Sequence, residues 1–149
     1  MTTGNNSIEI RCENVEPPSW ISALHRFIAA ILAELDVSRC EISVLITDDP
    51  GMKDLNKRYR DMDEPTDVLS FGEDPPPRDG PLGDIVIDLP QVVRQAPEFA
   101  VSPEEELRRV TVHGILHLLG HEHQTRDFER EPMLQLQEDL LAKVEERLF

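Results

Sequence analysis

The segment SPEEELRRVTVHGILHLLG (102–120) constrains the fold more than any other, because it carries both a start and a stop for a single helix. Ser102 is an N-cap residue, Pro103 suits a first turn that needs no N–H from it, and Glu105 stands where it completes a capping box. Glu104, Glu105 and Glu106 face the positive end of the helix dipole, and Gly120 supplies a terminator able to turn left-handed. This helix is expected to be central to the fold, and it brings His113 and His117 with it.

Around it the chain alternates strand and helix signals. SIEIRC (7–12) places Ile8, Ile10 and Cys12 at the two-residue period of a half-buried strand. After Pro17 and Pro18, Ser19 is expected to cap a helix whose apolar positions Trp20, Ala23, Leu24, Phe27, Ile28, Ile31 and Leu35 follow helical spacing. EISVLIT (41–47) is a second strand, and Asp48-Asp49-Pro50 opens a short helix that carries MKDLNKRYR (52–60). A brief strand is expected at 68–71, an exposed loop at PPPRDGP, a buried strand at LGDIVIDLP and a short helix at PQVVRQAPEF. A last helix through MLQLQEDLLAKVEERL should bury Met133, Leu136, Leu140, Leu141 and Val144. The order predicts one α+β (α/β-like) domain over residues 1–149, a small mixed four-stranded sheet packed with about five helices.

Composition narrows the function. No apolar run approaches the ~20 residues that cross a bilayer, and residues 1–18 lack a basic start and an apolar core of a secretory signal, so a cytoplasmic protein is expected. Cys12 and Cys40 are too few and too separated for a disulfide framework and read as structural thiols. A net charge of −15 argues against a broad basic surface for nucleic acid, so any such contact must be local, and no DNA partner is expected. The local exception is 52–60, where Lys53, Lys57, Arg58 and Arg60 face only Asp54, for a net +3.

HGILHLLGHEH (113–123) holds four of the five histidines. His113 and His117, four apart on a helix, project from one face, the spacing that grips one metal ion. Gly120 can redirect the chain so that His123 returns to the same ion, giving HxxxHxxGxxH. A lone histidine is more often a core or surface residue, and His25 is read so; three at this spacing point to a metal, one zinc per chain, with nickel and cobalt as alternatives. Three imidazoles leave a tetrahedral position open for catalysis. His121, one residue past the turn, has less chain for the return and is placed behind the ligands. Gly114 stands where HExxH peptidases carry their glutamate base, and glycine has no group to take a proton. Peptidase chemistry is disfavoured, and space beside the metal suits a charged group such as a phosphodiester.

LNKRYRDMDEPTDVLSF (55–71), HGILHLLGHEH (113–123) and, more weakly, GDIVI (83–87) resemble the YbeY family of bacterial endoribonucleases, over most of the chain. That family's histidine string carries tyrosine and aspartate where this chain has His121 and Glu122. The resemblance implies a metal-dependent endoribonuclease specific for single-stranded RNA, acting in 3′ end maturation of small-subunit (16S) rRNA and in ribosome quality control with ribosomal or ribosome-associated protein partners. It implies His113, His117 and His123 as ligands, with His113 also catalytic, and Arg60 as a catalytic and RNA-binding residue. On its own Arg60 reads as a solvated helix-end arginine, although a guanidinium fork fits the charge that builds on a phosphorane. Lys57 and Arg58 are expected to attract RNA electrostatically, and Asp67 to fix a turn.

Two other classes fit parts of the pattern. A metallopeptidase or other metal hydrolase keeps the three-histidine site without its base. A ribosome-associated binding factor with a structural metal suits the acidic surface.

Overall fold

The structure, a computed structural model, describes residues 6–61, 66–73, 75–120, 132–145 and 148, with the backbone alone for Arg60 and for 132–134. Four strands, β1 (Ser7–Cys12), β2 (Cys40–Thr47), β3 (Val68–Gly72) and β4 (Gly80–Asp88), form one mixed sheet in the order β1-β2-β4-β3. β1, β2 and β4 run parallel, and β3 pairs antiparallel with β4 at the edge. The helices are α1 (Ile21–Glu34), α2 (Asp49–Arg60), α3 (Leu89–Gln95), α4 (Pro103–Leu118) and α5 (Pro132–Lys143), with a 3-10 turn at Ala96–Phe99. The expected α+β class, four strands and five helices are therefore present.

Alternation along the strands divides the sheet into two faces. Ile42, Val44 and Ile46 of β2 and Ile85 and Ile87 of β4 face a core shared with Leu24, Phe27, Ile28 and Ile31 of α1 and with Leu107, Val112, Ile115 and Leu116 of α4, all essentially inaccessible to water. The opposite face carries a second, smaller cluster in which Met52 of α2 packs on Leu69 and Val86, flanked by Leu45, Leu55 and Phe71. α2 and α4 therefore lie on opposite faces near the β3 edge.

Local signals explain most boundaries. Ser102 accepts from the Glu105 amide at 3.1 Å while the Glu105 carboxylate accepts from the Ser102 amide at 3.2 Å, the reciprocal capping box expected from the sequence. The Asp48 carboxylate caps α2 by accepting from the Gly51 amide at 3.0 Å. Two expectations change. Ser19 does not cap α1; the N-cap position falls to Trp20, which makes no side-chain cap bond. α5 ends at Lys143, short of the expected run, and Leu148 instead tucks into the core, its amide donating to Glu104 at 2.6 Å. The 90–99 helix splits into α3 and the 3-10 turn, and β4 starts at Gly80, inside the expected PPPRDGP loop, where its amide donates to Arg39. No described helix is long and apolar enough to cross a membrane.

Candidate active site

α4 forms the floor of a cleft of about 630 Å³, and β3 with the residues before it forms one wall. The imidazoles of His113 and His117, one turn apart, lie with ring centroids 4.6 Å from each other, edge to face, and both line this cleft. Side chains four apart on a helix stack along one face, so the pairing follows from their spacing. Gly120 has φ +91°, and its amide closes on the His117 carbonyl at 3.0 Å, so the chain leaves α4 through the left-handed turn expected at that glycine. His121, Glu122 and His123 lie outside the described residues. Among those described, no third metal-binding side chain joins the two imidazoles.

α5 supplies a residue the sequence did not single out. Gln137, 2% exposed, places Oε1 3.3 Å from His113 Nδ1. An amide oxygen only accepts, so this contact is made with the proton on Nδ1, the orienting arrangement that metal-binding histidines use. The pair fits a metal in donor chemistry and in mutual approach. Two contacts hold α5 at this register: Arg108 of α4 donates to the carbonyls of Leu141, at 3.1 Å, and of Val144.

Gly114 lies buried between the two histidines, against β4. A Cβ there would come within 3.1 Å of Ile85 Cγ2. Besides lacking the glutamate of a peptidase, the position is one where helix and strand approach too closely for any larger residue without adjustment.

The acidic groups of the cleft are bound into a network. Asp67 accepts from the Val68 amide at 2.8 Å and from Gln95 Nε2 at 2.9 Å, and its carbonyl accepts from the Asp88 amide. It fixes the entry to β3, the structural role expected of it. Gln95 also donates to Glu106 at 2.6 Å, and Glu106 accepts from Arg109 at 2.9 Å. Gln95, Glu106 and Arg109 were not expected here, although the spacing of Arg109, His113 and His117 at four-residue intervals signals that they share a face.

Arg60 is the last residue of α2. Its neighbour Tyr59 meets Phe71 edge-on, ring centroids 5.5 Å apart, which fastens this end of α2 beside β3, the strand that walls the cleft from the other side. Lys57 and Arg58 are exposed on α2, and Arg58 is ion-paired with Asp54. Neither lines the cleft, so any contact with RNA falls outside it.

Behind the cleft, Asp88 at the end of β4 caps α3, its carboxylate accepting from the Gln91 amide at 3.3 Å. Burial, reinforced by the neighbouring Asp49 carboxylate, pushes the Asp88 carboxyl up to about 7. Arg94 grips Asp49 with both guanidinium nitrogens, at 2.7 and 2.8 Å, and holds it down at about 2.

A helix bearing two cleft-facing imidazoles, ending in a left-handed turn and backed by a mixed sheet, defines an α+β domain with a histidine-lined cleft. Comparison with known proteins makes it specific. The sequence model of the family described as Endoribonuclease YbeY matches residues 6–145, and the chain belongs to that family. It is 44% identical over 147 residues to the endoribonuclease YbeY of Treponema denticola, covering 93% of this chain and 94% of that one. It is 42% identical over 130 residues to that of Borreliella afzelii, covering 83% and 86%. In three dimensions it resembles the solution structure of TM1509 from Thermotoga maritima, with a TM-score of 0.67 and 29% identity over 92% of this chain and 88% of that one.

Proposed function

We propose that this chain is a zinc-dependent endoribonuclease, specific for single-stranded RNA, that acts in the cytoplasm on the 3′ end of small-subunit (16S) rRNA and in ribosome quality control, alongside ribosomal or ribosome-associated proteins. Membership of an endoribonuclease family makes it a nuclease. The observation that supports a metal-assisted site is the His113–His117 pair facing an open cleft.

His113, His117 and His123 would hold one zinc ion, which supplies a polarised phosphate oxygen and an acidified water. The chain's own residues do the rest. Gln137 keeps His113 in one tautomer and orientation. Gly114 lets α4 approach Ile85 of β4 closely, which seats the helix that carries both imidazoles against the sheet. Asp67 and Glu106 are held by Gln95 and Arg109, so they shape the wall and are not offered as the base. Arg60 would supply a guanidinium to the charge that develops on phosphorus, the role the family resemblance implies for it.

Metal content of protein purified without chelator, with cleavage of a labelled single-stranded RNA by wild type, Arg60→Glu and His113→Ala, tests the reading. About one zinc per chain and loss of cleavage in both folded variants are expected. Metal-loaded protein that does not cleave RNA, or cleavage untouched by both substitutions, would overturn it in favour of a ribosome-bound factor or another hydrolase. His113→Ala also separates the roles of the metal, since a structural ion predicts lost folding.

A further inference from the structure

One end of the cleft is built from residues to which the reaction assigns no part. Phe99, closing the 3-10 turn, leaves 55% of its surface exposed. The Arg109 guanidinium lies over its ring, 5.2 Å from the centroid, and both residues line the same cleft as the histidines. Arg109 is also anchored from below: it pairs with the buried Glu106 at 2.9 Å, and Glu106 is fixed by Gln95. The guanidinium is thus oriented before any ligand arrives, which lowers the ordering cost of binding.

We infer that Phe99 and Arg109 form a nucleobase subsite, in which one base of the RNA stacks on the Phe99 ring while Arg109 holds the adjoining phosphate. The inference rests on the reading of the cleft as an RNA-cleaving site. Arg109, His113 and His117 stand at successive four-residue steps of α4, each step about 6 Å along the helix axis. A strand laid along this row with its scissile phosphate at the histidines brings a neighbouring nucleotide to Phe99. Stacking on an aromatic face tolerates any base but needs an unpaired one. The subsite therefore selects single strands over duplex, with little preference for sequence, at a nucleotide next to the cut.

The test uses a labelled 2′-O-methyl oligouridylate in which a single abasic nucleotide is walked along the strand, with affinity read by fluorescence anisotropy for wild type, Phe99→Ala and Phe99→Trp. Because the ring is half exposed, Phe99→Ala should fold. It should bind the intact strand about 5- to 20-fold more weakly, near the low end of base stacking on an aromatic side chain. Wild type should lose a similar factor at one abasic position, Phe99→Ala should be indifferent there, and Phe99→Trp should restore the sensitivity. Equal affinity of wild type and Phe99→Ala for the intact strand, including no measurable binding by either, overturns the subsite. Cleavage of unmodified RNA by wild type, followed in parallel, reports separately on the nuclease reading, so the two fail by different results.

Discussion

Replacing Gly114 with alanine sets two effects of opposite sign against each other at one atom. In an unconstrained helix interior the change stabilises by about 1 kcal/mol, because glycine is the poorer helix former. In this helix the new Cβ would lie 3.1, 3.3 and 3.4 Å from Cγ2, Cδ1 and Cγ1 of Ile85, a residue with no exposed surface. Ile85 would have to move by a few tenths of an ångström in a packed core, and overpacking of this kind costs about 1–3 kcal/mol. The expected net effect is a loss of about 0–2 kcal/mol, read as a lower urea midpoint at unchanged m. A variant more stable than wild type by about 1 kcal/mol would refute the close approach as the reason for glycine. Ile85→Ala removes all three nearest atoms. It costs about 2–5 kcal/mol alone, but in that background Gly114→Ala should turn stabilising by about 1 kcal/mol, a coupling of about 1–3 kcal/mol. Strict additivity would show that some other neighbour sets the limit.

Two further expectations concern titration and metal affinity. The Asp88 carboxyl, at about 7 when folded against an ordinary value of 3.8, holds a proton between about pH 4 and 7 that the unfolded chain has released, so its contribution to stability declines as pH rises through that window. Asp88→Asn keeps a cap-forming side chain and removes the titration; it should be more stable than wild type at pH 8, by up to about 4 kcal/mol, and indistinguishable near pH 4, whereas parallel stability curves across the range would refute the assignment. Gln137→Leu leaves the His113 Nδ1–H without its acceptor and should weaken zinc binding by about 10- to 100-fold in competition with a chromophoric chelator while the chain stays folded; unchanged affinity would show that the contact does not orient the ligand.

How much was legible follows the range of each interaction. α4 and its capping box were readable because Ser102, Pro103, Glu105 and Gly120 act within a few residues of one another. The shared face of His113 and His117 was readable because helical periodicity alone brings the two together. Ser19 misled because a good cap residue does not fix where the first turn closes, and the chain leaving Pro17-Pro18 closes it at Trp20. The end of α5 was overrun because a continuing apolar pattern does not reveal that the Leu148 amide donates to the Glu104 carboxylate. Gln137 carried no signal, since its place beside His113 depends on how α5 docks on α4. The same holds for Gln95 between Asp67 and Glu106, and for the approach of Gly114 to Ile85, each set by contacts between distant elements.

The docking of α5 also bears on how the protein is made. One histidine of the pair leans on a side chain from α5, and Arg108 grips the carbonyls at that helix's end, so the site is not a local property of the stretch that bears its imidazoles. During synthesis the sheet and α4 can assemble from what has already emerged, but His113 waits for its brace until α5 has followed. The cleft of a growing chain would therefore gain its orienting contact only once α5 has emerged and docked on α4, and a chain cut short before α5 would lack that contact altogether.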